Sequence, residues 1–170
     1  TDDYIFTPHI VTNGLLINND QVAREITESG VNITVALASP LNQVRVYKDG
    51  SAATPEAVRG LKRLIDAGHK QASVNVVIAG EQMDIVDDVM SYLDGIGAFD
   101  GVSSIQLSPL APPIAHTAYA DRGLSSKQSG FNDEAVCECF SQKLIEYSRR
   151  FEIDMKGYSD KIGGWMVQGG

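Results

Sequence analysis

The stretch Val11-Thr12-Asn13-Gly14-Leu15-Leu16 closes an extended, largely apolar run over Tyr4–Thr12 and leads to a helix predicted at Asp20–Ser29. The same unit, an apolar strand followed by a small polar turn and an amphipathic helix, recurs along the chain. In stacked parallel βα units, ligands bind at the loops that follow the carboxyl ends of the strands. The Thr12-Asn13-Gly14 turn therefore lies where a functional loop is expected.

Three further strands and three further helices follow this first unit. Alternating and β-branched residues predict strands at Val31–Ala38, Ser73–Ile78 and Val102–Leu107. The helices are predicted from Thr54 to the stop at Gly68, over Gln82–Leu93, and from Asn132 to Phe151. Thr54 is expected to be the N-cap of the first of these helices, with Pro55 at its first helical position. The alternation of strands and helices predicts parallel strands joined by right-handed crossovers.

The predicted fold class is α/β: a partial (β/α) barrel or small open sheet of about four parallel strands with outer helices, plus a long C-terminal helix. Residues 1–131 would form the barrel domain, 132–151 the helix, and 152–170 a glycine-rich tail expected to be poorly ordered. Residues 109–130 show no periodicity, and a loop of that length is usually functional or disordered. One rim of the sheet is expected to carry Asn13, Ala38, Gly80 and Pro109.

Composition excludes several classes of protein. The 170 residues are 43% hydrophobic and 21% charged, which is ordinary for one globular domain. The net charge of -8 argues against nucleic acid or an anionic membrane as a partner. Cys137 and Cys139 are too close for a useful disulfide, so a reducing compartment, the cytoplasm, is expected. Because a strand begins so soon after Thr1, we hypothesise that the chain is a piece of a longer or processed polypeptide.

Few residues show an evident chemistry. No nucleophile elbow, Walker loop, zinc motif or Rossmann fingerprint is present. His116, in the long loop, is the best catalytic candidate, whereas His9 is more simply structural and His69 a surface residue. Side chains two positions apart on a helix point about 200° from each other, so Cys137 and Cys139 cannot easily share a metal. We therefore predict packing cysteines and no metal site.

Charged residues give one further candidate. Arg45 follows a strand end, where its planar donors could hold a carboxylate or a ribose, although an ordinary loop arginine is the simpler interpretation. The acids Asp84, Asp87 and Asp88 lie away from the apolar face of their helix, and we expect them in solvent.

Several motifs follow one another in a distinctive order. They are Thr12-Asn13-Gly14-Leu15-Leu16, Val35-Ala36-Leu37-Ala38-Ser39-Pro40, Arg45-Val46-Tyr47-Lys48-Asp49-Gly50 and Val74-Asn75-Val76-Val77-Ile78. Together they resemble the second half of the radical S-adenosylmethionine core, over residues 4–110. The closest resemblance is to peptide- and protein-modifying maturases that often carry a SPASM extension. The resemblance implies a partial (β/α)6 barrel in which this chain supplies the later strands.

The same resemblance implies a site for S-adenosylmethionine at the strand ends. The implied cofactor-binding residues are Thr12, Asn13, Ala36, Arg45 and Val77, and no catalytic residue is assigned. Asn13 falls in the Thr-Asn-Gly motif of the family, and Arg45 falls on an arginine that helps to bind the cofactor. Val77 lies on the strand that packs against the adenine.

The chain departs from the family pattern where the iron–sulfur cluster should be held. The motif of three closely spaced cysteines is absent, as are the first two strands. Ala36 stands where the family has a serine hydroxyl, and Ala38 stands where it has an acid. Without cluster ligands this chain alone cannot cleave the cofactor reductively, so a 4Fe-4S cluster would have to come from a missing segment or a partner chain.

The sequence leaves three functions open, and with them the question whether the chain is an enzyme. The first is the C-terminal part of a radical S-adenosylmethionine enzyme that modifies a peptide or protein, inactive without its missing cluster-binding half. The second is a degenerate, non-catalytic relative that binds a peptide or a partner protein. The third is an unrelated small α/β binding domain.

Overall fold

A single sheet forms the centre of the molecule. The structure is a computed structural model that describes residues 7–38, 46–78, 84–109, 134–159 and 163–167. The strands lie in the order β1-β2-β3-β4-β5-β6. They are β1 His9–Thr12, β2 Asn32–Ala38, β3 Ala72–Ile78, β4 Ser104–Pro109, β5 Asp154–Ser159 and β6 Gly163–Val167. Strands β1 to β5 pair in parallel and β6 pairs antiparallel with β5, so the α/β prediction with parallel strands is confirmed.

The described residues form four α-helices between these strands. They are α1 Asp20–Ser29, α2 Thr54–Asp66, α3 Asp84–Gly95 and α4 Glu134–Phe151. Helix α1 begins where the Asn19 side chain accepts a hydrogen bond from the Val22 amide, and it ends at Gly30, whose φ is 65°. The prediction that Thr54 caps α2 is wrong: Ala53 holds that position and makes no side-chain capping bond. Pro55 does lie in the first turn, where its missing N–H costs nothing.

All four helices pack against one face of the sheet. Strands that follow one another in sequence order through right-handed crossovers return every helix to the same side. The buried cluster on that side unites strand residues such as Val35, Val74 and Ile105 with Leu61 of α2 and Phe140 of α4, all at most 1% exposed. Full burial of one such side chain stabilises the fold by about 1.5–3 kcal/mol.

The C-terminal segment differs from its prediction. The tail over 152–170, expected to be poorly ordered, contains β5 and β6, and β5 pairs in parallel with β4. Helix α4 is thus the crossover of one more βα unit. The tail was misjudged because its glycines mask the alternation in which Met155 is buried and Asp154 is half-buried.

The other boundaries need smaller corrections. Strand β1 begins at His9; Pro8 cannot donate to a ladder, although its carbonyl accepts from the Asn32 amide at 3.0 Å. The fourth strand spans Ser104–Pro109, two residues later than predicted. Ala38 and Pro109 end β2 and β4 at the same edge of the sheet, as expected for one rim, whereas Gly80 and most of the 109–130 loop lie outside the described residues.

Asp87 joins two of the outer helices and is not the solvated acid that its own helix predicts. Lys143 Nζ donates to Asp87 Oδ1 and Oδ2 at 2.8 and 2.6 Å, and Tyr147 Oη donates to Oδ1 at 2.8 Å. Partial burial opposes the charge of Asp87, but the hydrogen bonds from Lys143 and Tyr147 prevail and lower its pKa. Partial burial and the bond to Asp87 raise the pKa of Tyr147 to about 12. Asp88 is exposed, as predicted.

Membrane insertion finds no support in the helices. Within the described ranges, none of them combines the length and the apolar content needed to cross a bilayer.

Candidate functional site

The face of the sheet opposite the helices is lined with polar and small side chains. The strand register arranges them in two rows, Thr34–Ser73–Ser104 and Ala36–Asn75–Gln106. Ala36 is buried but lies outside the apolar cluster that the helices cover. Strands of parallel sheets usually carry apolar residues on both faces, because helices cover both. This polar face is therefore the part of the sheet best suited to contact a ligand.

Three residues on the polar face of β3 and β4 form a hydrogen-bonded group. Asn75 and Gln106 lie midway along their strands, and Ser108 lies one residue before the end of β4. Ser108 Oγ donates to Asn75 Oδ1 at 2.9 Å, and Gln106 Nε2 donates to Ser108 Oγ at 3.2 Å. All three residues are half-buried. The group is uncharged and extends along the polar face towards the edge where parallel βα folds bind their ligands.

A second set of hydrogen bonds lies towards the amino ends of the strands. His9 Nε2 lies 2.8 Å from Thr34 Oγ1, which supports the structural interpretation of His9. Ser104 Oγ donates to Ser73 Oγ at 2.9 Å. These hydroxyls bond one another, so their polarity is satisfied within the protein.

The predicted cofactor residues do not all share the polar face. The register places Ala36 and Val77 on that face, on the neighbouring strands β2 and β3. Thr12 pairs with Val35 and so belongs to the opposite face. Arg45 lies outside the described residues.

The turn after β1 uses its polar side chains locally. Thr12 Oγ1 accepts from the Gly14 amide and Asn13 Oδ1 accepts from the Leu15 amide, each at 3.2 Å. Asn13 remains exposed beside the end of its strand. Such bonds fix the backbone of a turn and use only the oxygen of the Asn13 side-chain amide.

Helix α2 supports this turn from behind. A Cβ atom built on Gly60 would lie 2.3 Å from the Gly14 carbonyl oxygen, so only glycine permits this approach. Gly14 itself has a φ of 76°, which glycine adopts without strain. One turn of helix further on, Arg63 Nη1 donates to the Ile17 carbonyl at 3.0 Å.

Helix α2 also holds the segment that follows Arg45. Tyr47 Oη donates to Glu56 Oε2 at 2.5 Å. This hydrogen bond raises the pKa of Tyr47 and lowers the pKa of Glu56. Val46 and Ala52 form an antiparallel bridge around a tight turn, in which the Tyr47 amide donates to the Ser51 carbonyl at 2.8 Å. Residues 46–52 thus have a defined anchor on α2.

The other sequence candidates lie partly outside the described residues. His116 and the side chain of Cys137 lie outside the described residues, and Cys139 is a half-buried free thiol. In the described part of the chain, His, Cys, Asp and Glu form no group of three that could hold a metal ion.

His69 is buried, and its prediction as a surface residue is wrong. The residue is only 3% exposed, and Nε2 is buried with no hydrogen-bond partner among the residues that the structure describes. The chain turns back after α2, where the His69 amide donates to the Leu64 carbonyl at 3.0 Å. This turn places the His69 ring near the start of β2. Burial lowers the pKa of His69, and a hydrogen bond with the Val31 backbone offsets only part of that effect.

We expect the free energy of unfolding to fall as the pH is lowered below about 6.5, the ordinary pKa of histidine. The unfolded chain takes up the His69 proton first, because burial lowers the pKa of His69 in the folded state. The free energy of unfolding keeps its full value above that pH, and it stops falling below the pKa of His69 in the folded state. The carboxyls with lowered pKa values, such as Asp87, lose their contribution only in more acid solution. Urea midpoints measured from pH 8 to pH 5 test this.

A variant tests whether His69 causes this fall. His69→Gln should make the urea midpoint nearly independent of pH across this window. A wild-type midpoint that stays constant from pH 8 to pH 5 would contradict the prediction.

The fold and its polar face define an α/β protein consistent with a partial (β/α) barrel. Among curated proteins, a mycofactocin maturase of Mycobacterium ulcerans is 29% identical over 100 residues, which cover 56% of this chain and 27% of the maturase. A probable GTP 3',8-cyclase of Methanococcus aeolicus is 22% identical over 142 residues, covering 81% of this chain and 45% of the cyclase. No family model matches the chain, and no solved structure matches it significantly.

These similarities support a relationship to radical S-adenosylmethionine enzymes at low identity. The chain spans less than half the length of either relative.

Sequence reasoning missed the hydrogen-bonded group of Asn75, Gln106 and Ser108. The alternation of apolar and polar residues does place them away from the core, since Val74 and Val76 flank Asn75, and Ile105 and Leu107 flank Gln106. What the sequence lacks is the register that pairs Asn75 with Gln106 across two strands.

Proposed function

We propose that this chain is the C-terminal part of a radical S-adenosylmethionine enzyme that modifies a peptide or protein. The observation that carries the proposal is the parallel sheet with sequential strand order, covered by helices on one face and polar on the other. Half of a barrel wall with its polar side directed inward would have this arrangement. The low-identity similarity to a maturase supports a peptide or protein as the substrate.

The described residues fit S-adenosylmethionine in part. Val77 is half-buried on the polar face, where it could pack against an adenine, and Asn13 is exposed at the end of β1. Arg45 would supply permanently charged donors for a carboxylate or ribose. When bound, the cofactor would supply radical chemistry, and the residues of this chain would bind and orient it.

The residues of this chain do not fit an iron–sulfur cluster. Such clusters prefer four cysteine thiolates, whereas the whole sequence has 2 cysteines, Cys137 and Cys139, within one helix. We therefore assign the cluster to a missing segment or to a cluster-bearing partner chain, and we assign the protein to the reducing cytoplasm.

We expect Arg45→Ala to weaken S-adenosylmethionine binding by roughly ten- to a hundredfold in the protein assembled with its cluster-bearing part. Loss of one charge-assisted hydrogen bond costs on the order of 1.5–3 kcal/mol. Calorimetric titration of wild type and variant measures the difference. Lys48→Ala is the matched control, because Lys48 is an exposed cation in the neighbouring turn. Equal affinity of wild type and Arg45→Ala would reject the role of Arg45.

A second function is favoured by two alanines. Ala36 and Ala38 replace side chains that the resembling family uses at the cofactor, which suits a degenerate module that binds a peptide or partner without catalysis. An assembled wild-type protein that binds peptide but shows no heat of binding for S-adenosylmethionine would select this alternative.

A further inference from the structure

We propose that Asn75, Gln106 and Ser108 form a subsite that binds the main-chain amide groups of an extended peptide. The inference rests on the proposed function, since it names the part of this chain that would hold a peptide substrate. It is carried by the hydrogen-bonded group on the polar face of β3 and β4.

The single hydroxyl proton of Ser108 determines what the two amides present to a ligand. Ser108 Oγ donates to Asn75 Oδ1 and accepts from Gln106 Nε2. The Asn75 Nδ2 donor and the Gln106 Oε1 acceptor then remain, and neither makes another hydrogen bond in the part of the chain that the structure describes. If both amides were turned over, the hydroxyl would still donate to one and accept from the other. Either way the group presents one donor and one acceptor.

The strand register places that donor and acceptor side by side. Asn75 and Gln106 are register partners on β3 and β4, so their backbones are about 4.8 Å apart. In an extended peptide, the N–H and C=O of one residue point to the same side, as in a hydrogen-bonded pair of antiparallel strands. One residue of an extended peptide therefore matches the pair. Ala36, the register partner of Asn75 on β2, is small enough not to crowd the approach.

The hydrogen-bonded group itself is uncharged, and the charges on this face belong to β5. The described side chains on this face of β3 and β4 are neutral: Ser73, Asn75 and Val77, and Ser104, Gln106 and Ser108. On β5, Asp154 is the register partner of Ser104 and Lys156 is the register partner of Gln106. A peptide amide loses less on desolvation than a charged group does, and it regains its two hydrogen bonds from the neutral group.

The test is a titration of the ¹⁵N-labelled full chain with N-acetylalanine N-methylamide, followed through the side-chain NH₂ resonances of Asn75 and Gln106. We expect both resonances to shift saturably. Ser108→Ala frees the two amides to rotate, and the loss of fixed donor and acceptor should weaken binding by about two- to tenfold. Ser103→Ala is the matched control, because the exposed Ser103 hydroxyl donates to the Ala72 carbonyl outside this group. A second probe, in which an ester oxygen replaces the alanine N–H, should also bind about two- to tenfold more weakly.

Three results would overturn the subsite: no saturable shift at Asn75 and Gln106, equal affinity for the ester probe, or equal affinity in Ser108→Ala. Displacement of the peptide probe by S-adenosylmethionine from the same resonances would also overturn it, by giving the group to the cofactor. Failure of the assembled protein to bind S-adenosylmethionine, with the peptide shifts intact, would instead remove the proposed enzyme and leave the subsite in place.

Discussion

Gly60→Ala is expected to destabilise the protein by about 3 kcal/mol, the upper end of what overpacking usually costs. The added Cβ would lie 2.3 Å from the Gly14 carbonyl oxygen, which is a backbone atom and cannot rotate away. The turn has little room to retreat, because a Cβ at Gly14 would itself lie 3.0 Å from Val35 Cγ1. Urea unfolding measures this loss of stability. The dependence of the unfolding free energy on urea concentration should be unchanged if the substitution affects only the folded state.

Gly95→Ala is the matched control for Gly60→Ala. Gly95 is the last residue of α3, and a Cβ there would meet nothing within 4 Å. Alanine in a helix is favoured over glycine by roughly 0.5–1 kcal/mol, so Gly95→Ala should stabilise the protein slightly. Effects of the same sign and size at both glycines would show that the turn after β1 does not rest on α2.

Met155→Ala is the second substitution with a large expected effect, a loss of about 2–5 kcal/mol. Met155 is fully buried on the helix-covered face of β5 and pairs in register with Ile105. Truncating it leaves a cavity in the cluster that also holds Phe140 and Leu144. Thermal and urea unfolding with near-ultraviolet circular dichroism would show both the loss of stability and any loosening of packing.

The neighbouring residue provides the comparison for Met155. Asp154 is half-buried and belongs to the opposite face, so Asp154→Ala should change the free energy of unfolding by no more than about 0.5 kcal/mol. If both substitutions had equally small effects, the segment after Ile153 would not be a strand of the folded protein.

The sequence predicts most of the parallel architecture, because its signals are local. Helix α1 spans Asp20–Ser29 and ends at Gly30 as predicted, and alternation places β2 and β3 to within one residue. The last strands were missed for an equally local reason. β5 places charged residues on either side of Met155 and then a glycine, and β6 begins with two glycines, so neither has the β-branched signal of a strand.

The features that could not be predicted, in the helical layer and in the site, depend on contacts between distant residues. The helical wheel of α3 places Asp87 in solvent, but its partners Lys143 and Tyr147 come from α4. His69 follows a helix stop and resembles a loop residue, yet the turn buries it beside β2. Of the five residues that the family resemblance implies, Ala36 and Val77 share the polar face, and a motif match gives no means of telling them from Thr12.

Helix α2 holds two loops, the turn over residues 14–17 and the described segment over residues 46–52. Gly60 and Arg63 hold the turn over residues 14–17, and Glu56 holds Tyr47 in the segment after Arg45. The two loops are therefore ordered together when the helix docks on the sheet, and much of the entropy cost of fixing them is met during folding instead of during binding. A variant in which α2 packs less firmly on the sheet would be expected to bind a ligand at either loop more weakly. The contacts with the ligand would be unchanged, but a smaller fraction of the protein would be in the binding-competent state.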